Sequence, residues 1–108
     1  MQAIIREERL EAVVERLVQI GVRGLTLGPA KGMGRSGGFA IFRGSAYRVD
    51  FVAKVVLEWY GPDHEADAVA RAIIQRAATG KIGDGKIFFQ RVEEAVRIRT
   101  GERDLDAV

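Results

Sequence analysis

A chain of 108 residues, 47% of them hydrophobic, is long enough for one domain and too apolar for a disordered segment. Its 17 Lys and Arg against 15 Asp and Glu leave a net charge of +2, too little to draw nucleic acid on charge alone. With 0 Cys there is no disulfide, thiolate metal site or cysteine nucleophile. The lone histidine, His64, cannot build a histidine metal cluster. The first residues lack the basic-then-apolar order of a signal peptide, and no apolar run nears the ~20 residues of a membrane span, so a cytoplasmic chain outside the membrane is expected.

Ala3-Ile4-Ile5 is a short apolar run of the kind that makes a buried strand. Glu7 and Glu8 mark a helix start, Leu10, Val13, Val14 and Leu17 form one stripe at helical spacing, and Gly21 is placed to cap the end. Val22 to Leu27 reads as a second strand. From Gly28 to Gly44 six glycines and Pro29 break every pattern, which predicts a long flexible loop, and loops of that length inside a small domain are usually functional. Val49 to Trp59 returns as a strand with Ala53, Val55, Leu57 and Trp59 on one face and Lys54, Val56 and Glu58 on the other. Two opposite charges four residues apart suit the side of a cleft better than a core.

Asp63 is expected to cap a second helix, with Ala66, Val69, Ala70, Ile73, Ile74 and Ala77 as its apolar stripe and Gly80 at its end. Ile87 to Val92 reads as a fourth strand and Ala95 to Ile98 as a shorter one, before a polar tail over 100–108. The order strand–helix–strand, loop, strand–helix–strand predicts an α+β, ferredoxin-like βαβ-βαβ domain spanning 1–108. That fold serves many functions, so function has to come from the site.

Three basic segments carry glycine: Lys31-Gly32-Met33-Gly34-Arg35, Thr79 to Phe88, and Arg97-Ile98-Arg99-Thr100-Gly101-Glu102. Phosphate recognition needs N–H groups that a ligand can approach, which glycine permits, and cations aimed at the oxygens. Each segment alone reads more readily as a plain turn or a solvated face; three together bring nucleotide binding to about even odds.

The stretches Thr79 to Phe88 and Arg97 to Glu102 resemble the two signatures of the PII signal-transduction family. Lys31 to Arg35, Arg43-Gly44 with Tyr47, Val49-Asp50-Phe51 and Lys54 fall in that family's order, so the resemblance spans the chain. It implies a homotrimer that binds ATP or ADP, with Mg in the ATP form, in clefts between subunits, and that is a regulator and not an enzyme. Thr26 and Glu58 would hold the adenine and ribose end, while Gly83, Asp84, Gly85 and Lys86 would cradle the phosphates with Gly34 and Arg35 beside them. Arg97 and Arg99 would reach across from the neighbouring subunit. The T-loop, about 33–49, would dock on a target enzyme or membrane transporter, with no nucleic-acid partner.

Family members usually read Gly-Arg-Gln-Lys-Gly where this chain has Gly34-Arg35-Ser36-Gly37-Gly38. Their glutamine helps bind the Mg that bridges ATP to 2-oxoglutarate, and their lysine at the position of Lys54 pairs with the oxoglutarate carboxylate. With Ser36 in the glutamine's place, weak or absent 2-oxoglutarate binding is expected. The alternative is thus a sensor of another metabolite, linked for example to bicarbonate or metal transport. Arg43-Gly44-Ser45-Ala46-Tyr47 stands where many members have Arg-Gly-Ala-Glu-Tyr; Tyr47 and Ser45 sit near positions that some members modify, and partner contact serves them as well. An RNA-binding module of this fold would need an aromatic signature the chain lacks. An enzyme would need a paired base and nucleophile; only Asp84 could orient a water.

Overall fold

A computed structural model describes the backbone over residues 1–42 and 45–108, and the side chains outside residues 34–50. Strand β1 (Gln2–Arg6) leads through a single 3-10 turn (Glu7–Arg9) into α1 (Leu10–Gln19). Strands β2 (Thr26–Phe42) and β3 (Ser45–Glu58) follow, then α2 (Asp63–Ala77), β4 (Gly85–Phe88) and a last 3-10 turn (Asp104–Asp106). The sheet order is β2-β3-β1-β4 and every pairing is antiparallel. This is the ferredoxin-like arrangement expected, with both helices over one face.

Alternation along the strands makes that face. Ala3 and Ile5 of β1, and Val55 and Leu57 of β3, are buried beneath Val13 and Leu17 of α1 and Val69, Ala70 and Ile73 of α2. Ile5, Val13, Leu17 and Leu57 are almost wholly enclosed, each contributing about 1.5–3 kcal/mol of apolar burial. Helix α1 closes as Gly21 predicts: its φ is +95°, Val22 N–H reaches the Leu17 carbonyl and Gly21 N–H that of Val18. The expected stripe of α2 is buried at Val69, Ala70, Ile73 and Ala77, with Ala66 packed against the core, but it takes in Ala72 and leaves Ile74 54% exposed. Asp63 is the first helical residue and Pro62 the cap, with no side-chain capping bond, so the Asp63 carboxylate acts through the helix dipole. The helix ends at Ala77, ahead of Gly80.

The strand expected at Val22–Leu27 instead begins at Thr26 and continues through the glycine-rich stretch to Phe42. Pairs run from Thr26↔Glu58 to Gly34↔Asp50 and, after a register shift, from Phe39↔Arg48 to Phe42↔Ser45. β2 is an edge strand, where glycine and Pro29 are tolerated, and β3 is rich in the β-branched and aromatic residues that hold a ladder. The expected loop over 33–49 is therefore largely a β2–β3 ribbon, and Arg43 and Gly44 lie outside the described residues. The fourth strand starts at Gly85 and stops at Phe88, not Ile87 to Val92, because β1 offers partners only from Gln2 to Ile5. The short strand at Ala95–Ile98 does not form. A single bridge, Val96↔Arg103, closes a turn through Gly101, whose φ is +73°.

Candidate functional site: a glycine loop held from beneath

Between α2 and β4 the chain makes a tight loop, Thr79–Gly85, with positive φ at Gly80, Gly83 and Gly85. The turn into β4 requires one of these glycines outright. A Cβ on Gly85 would lie 1.7 Å from the Ile4 carbonyl oxygen, at the first β1–β4 pair.

The Asp84 carboxylate closes the loop on itself. It accepts from Thr79 N–H at 2.8 Å, from the Thr79 hydroxyl, from Gly80 N–H at 2.9 Å and from Arg6 Nε at 3.1 Å. The Thr79 donors first, then the Arg6 guanidinium and Gly80 N–H, hold its pKa well below the usual carboxylate range. A carboxylate with four donors is spoken for as an acceptor, so it staples the loop and is not placed to orient a water on phosphate.

Two cations lie under the loop. Arg6 and Lys54 are opposite one another in the β1–β3 register, on the face away from the helices. Arg6 also donates from Nη2 to the Ile82 carbonyl at 2.8 Å, and Lys54 Nζ donates to the Gly83 carbonyl. Gly32 gives the lysine room, since a Cβ there would press on the Lys54 stem at 3.2 Å. Arg6 escapes sequence reading because only the topology, by setting β1 beside β4, brings the end of one strand under a loop some 75 residues away.

The same open face carries most of the other candidates. Thr26, Glu58, Gln2 and Phe88 form one row across the four strands, since each is register-paired with the next. Lys86 pairs with Ile4, two residues farther along β1, and the Arg6–Lys54 row lies about 13 Å from the Glu58 row along the strands. Glu58 accepts from Gln2 at 3.4 Å and from the Tyr60 hydroxyl at 3.3 Å, and its charge raises the Tyr60 pKa. On the opposite, helix-side face an open apolar groove of about 570 Å³ between α2 and β4 reaches Asp84 and Gly85.

The structure brings Lys54, Gly83, Asp84 and Gly85 together, with Lys86 next along β4. It does not bring the arginines of the third segment to them. Arg97 pairs with Glu102 at 3.2 Å, Arg99 is exposed, and neither bonds to the loop among the described residues. That segment turns instead of forming a strand, so strand alternation does not set where Arg97 and Arg99 project. Gly34 pairs with Asp50, farther out along the ribbon, and the side chains of Arg35, Ser36, Ser45 and Tyr47 lie outside the described residues.

Comparison with known proteins adds to this geometry. The family model for nitrogen regulatory protein P-II matches residues 1–102. The chain is 49% identical over 109 aligned positions to the nitrogen regulatory protein P-II of Rhizobium meliloti (strain 1021) and 48% identical over 109 to that of Haemophilus influenzae. Each alignment takes in 100% of this chain and 97% of the relative. The crystal structure of Arabidopsis thaliana PII bound to citrate superposes with a TM-score of 0.81 at 37% identity, over 99% of this chain and 88% of that one. With matches of this identity along nearly its whole length, and the same fold, the chain belongs to the nitrogen regulatory protein P-II family.

Proposed function

We propose that this chain is a cytoplasmic P-II-type regulator that binds ATP or ADP in clefts between the subunits of a homotrimer. It acts on a target enzyme or transporter through the outer part of the β2–β3 ribbon. The observation that carries the reading is the loop Thr79–Gly85, which is stapled from within by Asp84 and held over two cations. Such a loop offers a phosphate both backbone N–H groups and positive charge at little cost in ordering.

In this reading Gly83, Gly85 and Lys86 contact the phosphates, with Gly34 and Arg35 beside them, and Asp84 keeps the loop in shape. Thr26 and Glu58 hold the nucleoside end, and Arg97 and Arg99 come from the adjacent subunit. A trimer is favoured by the apolar side chains one chain leaves in solvent, Ile98 at 101%, Ile82 at 93%, Met33 at 72% and Phe51 at 71% exposure. Among the described residues no helix is long and apolar enough to cross a membrane. They also form no acidic or histidine cluster for a resident metal, so Mg would arrive with the ATP phosphates. Ser36, Ser45 and Tyr47 remain candidates for effector, partner or modification contacts.

The loss of the usual glutamine at Ser36, with the Lys54 ammonium engaged by the Gly83 carbonyl, favours the second reading, a nucleotide sensor without a 2-oxoglutarate response. Calorimetry tests both. ADP and ATP are expected to bind, and 2-oxoglutarate added with Mg and ATP is expected to give little further heat. A strong oxoglutarate signal would restore the carbon–nitrogen sensor, and absence of nucleotide binding would leave only the family and fold.

A further inference from the structure

We propose that Arg6 is a positioning residue for the phosphate end of the nucleotide site, acting through the loop and not on the ligand; this rests on the nucleotide reading above. Its guanidinium makes two bonds to two different parts of the loop, Nε to the Asp84 carboxylate at 3.1 Å and Nη2 to the Ile82 carbonyl at 2.8 Å. The side chain is 19% exposed and lies so close beneath the loop that a Cβ on Gly83 would come within 3.1 Å of Nη2.

The geometry of a trans peptide gives this contact a directional consequence. Carbonyl and N–H of one peptide unit point to opposite sides, and no peptide here is cis. A guanidinium that draws the Ile82 carbonyl toward the sheet therefore turns the Gly83 N–H away from it. That N–H has no hydrogen-bond partner among the described residues. Gly83 supplies the positive φ, +104°, that lets the chain turn there.

Arg6 thus fixes the orientation of a donor that an anion can use. The guanidinium fork suits the task because one rigid group satisfies two acceptors at once, while an ammonium at the same place would serve them one at a time. The sequence gives no sign of this role. Arg6 stands outside all three glycine-bearing segments.

The test is ADP calorimetry on the full chain, with the Gly83 amide resonance followed by NMR, for the wild type, Arg6→Gln and Arg6→Lys. The wild type is expected to bind ADP with a shift of the Gly83 amide. Arg6→Gln is expected to lose on the order of tenfold in affinity, as for one hydrogen bond to a charged group, together with most of that shift. Arg6→Lys keeps the charge and is expected to lose only a few-fold. Unchanged ADP affinity in Arg6→Gln overturns the inference, and so does weakened binding with the Gly83 shift intact, which would make Arg6 a plain source of charge or stability. If Arg6→Gln does not fold, Arg6→Lys decides: a few-fold loss with a reduced Gly83 shift supports the inference, and wild-type affinity, or a loss with the full shift, overturns it. A wild type that does not bind ADP overturns the nucleotide reading itself and this inference with it.

Discussion

The loop Thr79–Gly85 and the segment Glu93–Asp106 both set cations beside glycine, yet they are anchored in opposite ways. The loop is tied to the sheet: Arg6 from β1 and Lys54 from β3 bond to it, and Gly85 begins a strand paired with β1. The segment is tied to itself. Among the described residues its hydrogen bonds are local and include those linking Ala95 with Asp104, Arg97 with Glu102 and Gly101, and Glu94 with Arg103. It leaves Ile98 entirely in solvent. In the proposed reading, one chain preorganises the loop side of the nucleotide cleft by itself, while the arginine side has local shape and no support from the sheet. In the proposed trimer that support is a neighbouring subunit.

The contrast can be broken at its strongest point first. Gly85→Ala puts a methyl group into the Ile4 carbonyl and forces alanine to a φ of +100°, so β4 should detach from β1. The expected loss is about 3 kcal/mol or more in urea unfolding; a variant of wild-type stability would show that the loop is not held as described.

Asp84→Asn comes next. With its pKa held below the ordinary 3.8, the Asp84 carboxylate binds protons less readily in the folded state than in the unfolded one. Its contribution is therefore complete at neutral pH, stays nearly so down to about pH 4, and is lost as pH falls from there toward the folded value. The wild-type urea midpoint should thus drop below about pH 4, and Asp84→Asn, already lower at neutral pH, should drop less over the same range. Parallel curves would mean that another carboxylate carries the acid limb.

The smallest effect belongs to the other region. The Arg97–Glu102 pair is 38% and 45% exposed, so Glu102→Gln should change stability by no more than about 0.5 kcal/mol. A larger loss in urea unfolding would show that the segment is anchored more firmly than its hydrogen bonds imply.

What the side-chain pattern reveals of the molecule divides along similar lines. The helices and the buried faces of β1 and β3 follow from side-chain period, and Val55, Leu57 and Trp59 lie buried as the alternation predicts. β2 departs from the side-chain pattern because its pairing is a property of the backbone. Glycines and Pro29 hide an edge strand whose order comes from Val52, Val55 and Val56 across the ladder. In the site, the glycines and Asp84 are visible as a motif. What the carboxylate does is not, because its fourth donor, Arg6, is adjacent only once the sheet has formed.

The proposed cleft, assembled from the loop of one subunit and the arginines of the next, can be tested by complementation. Asp84→Asn and the double variant Arg97→Ala with Arg99→Ala should each bind ADP poorly. Co-refolded in equal amounts, they should recover about a quarter of the wild-type sites, the share in which an intact loop meets an intact neighbouring pair of arginines. Recovery of none, with mixed assemblies present, would place loop and arginines in the same subunit's site and contradict the account.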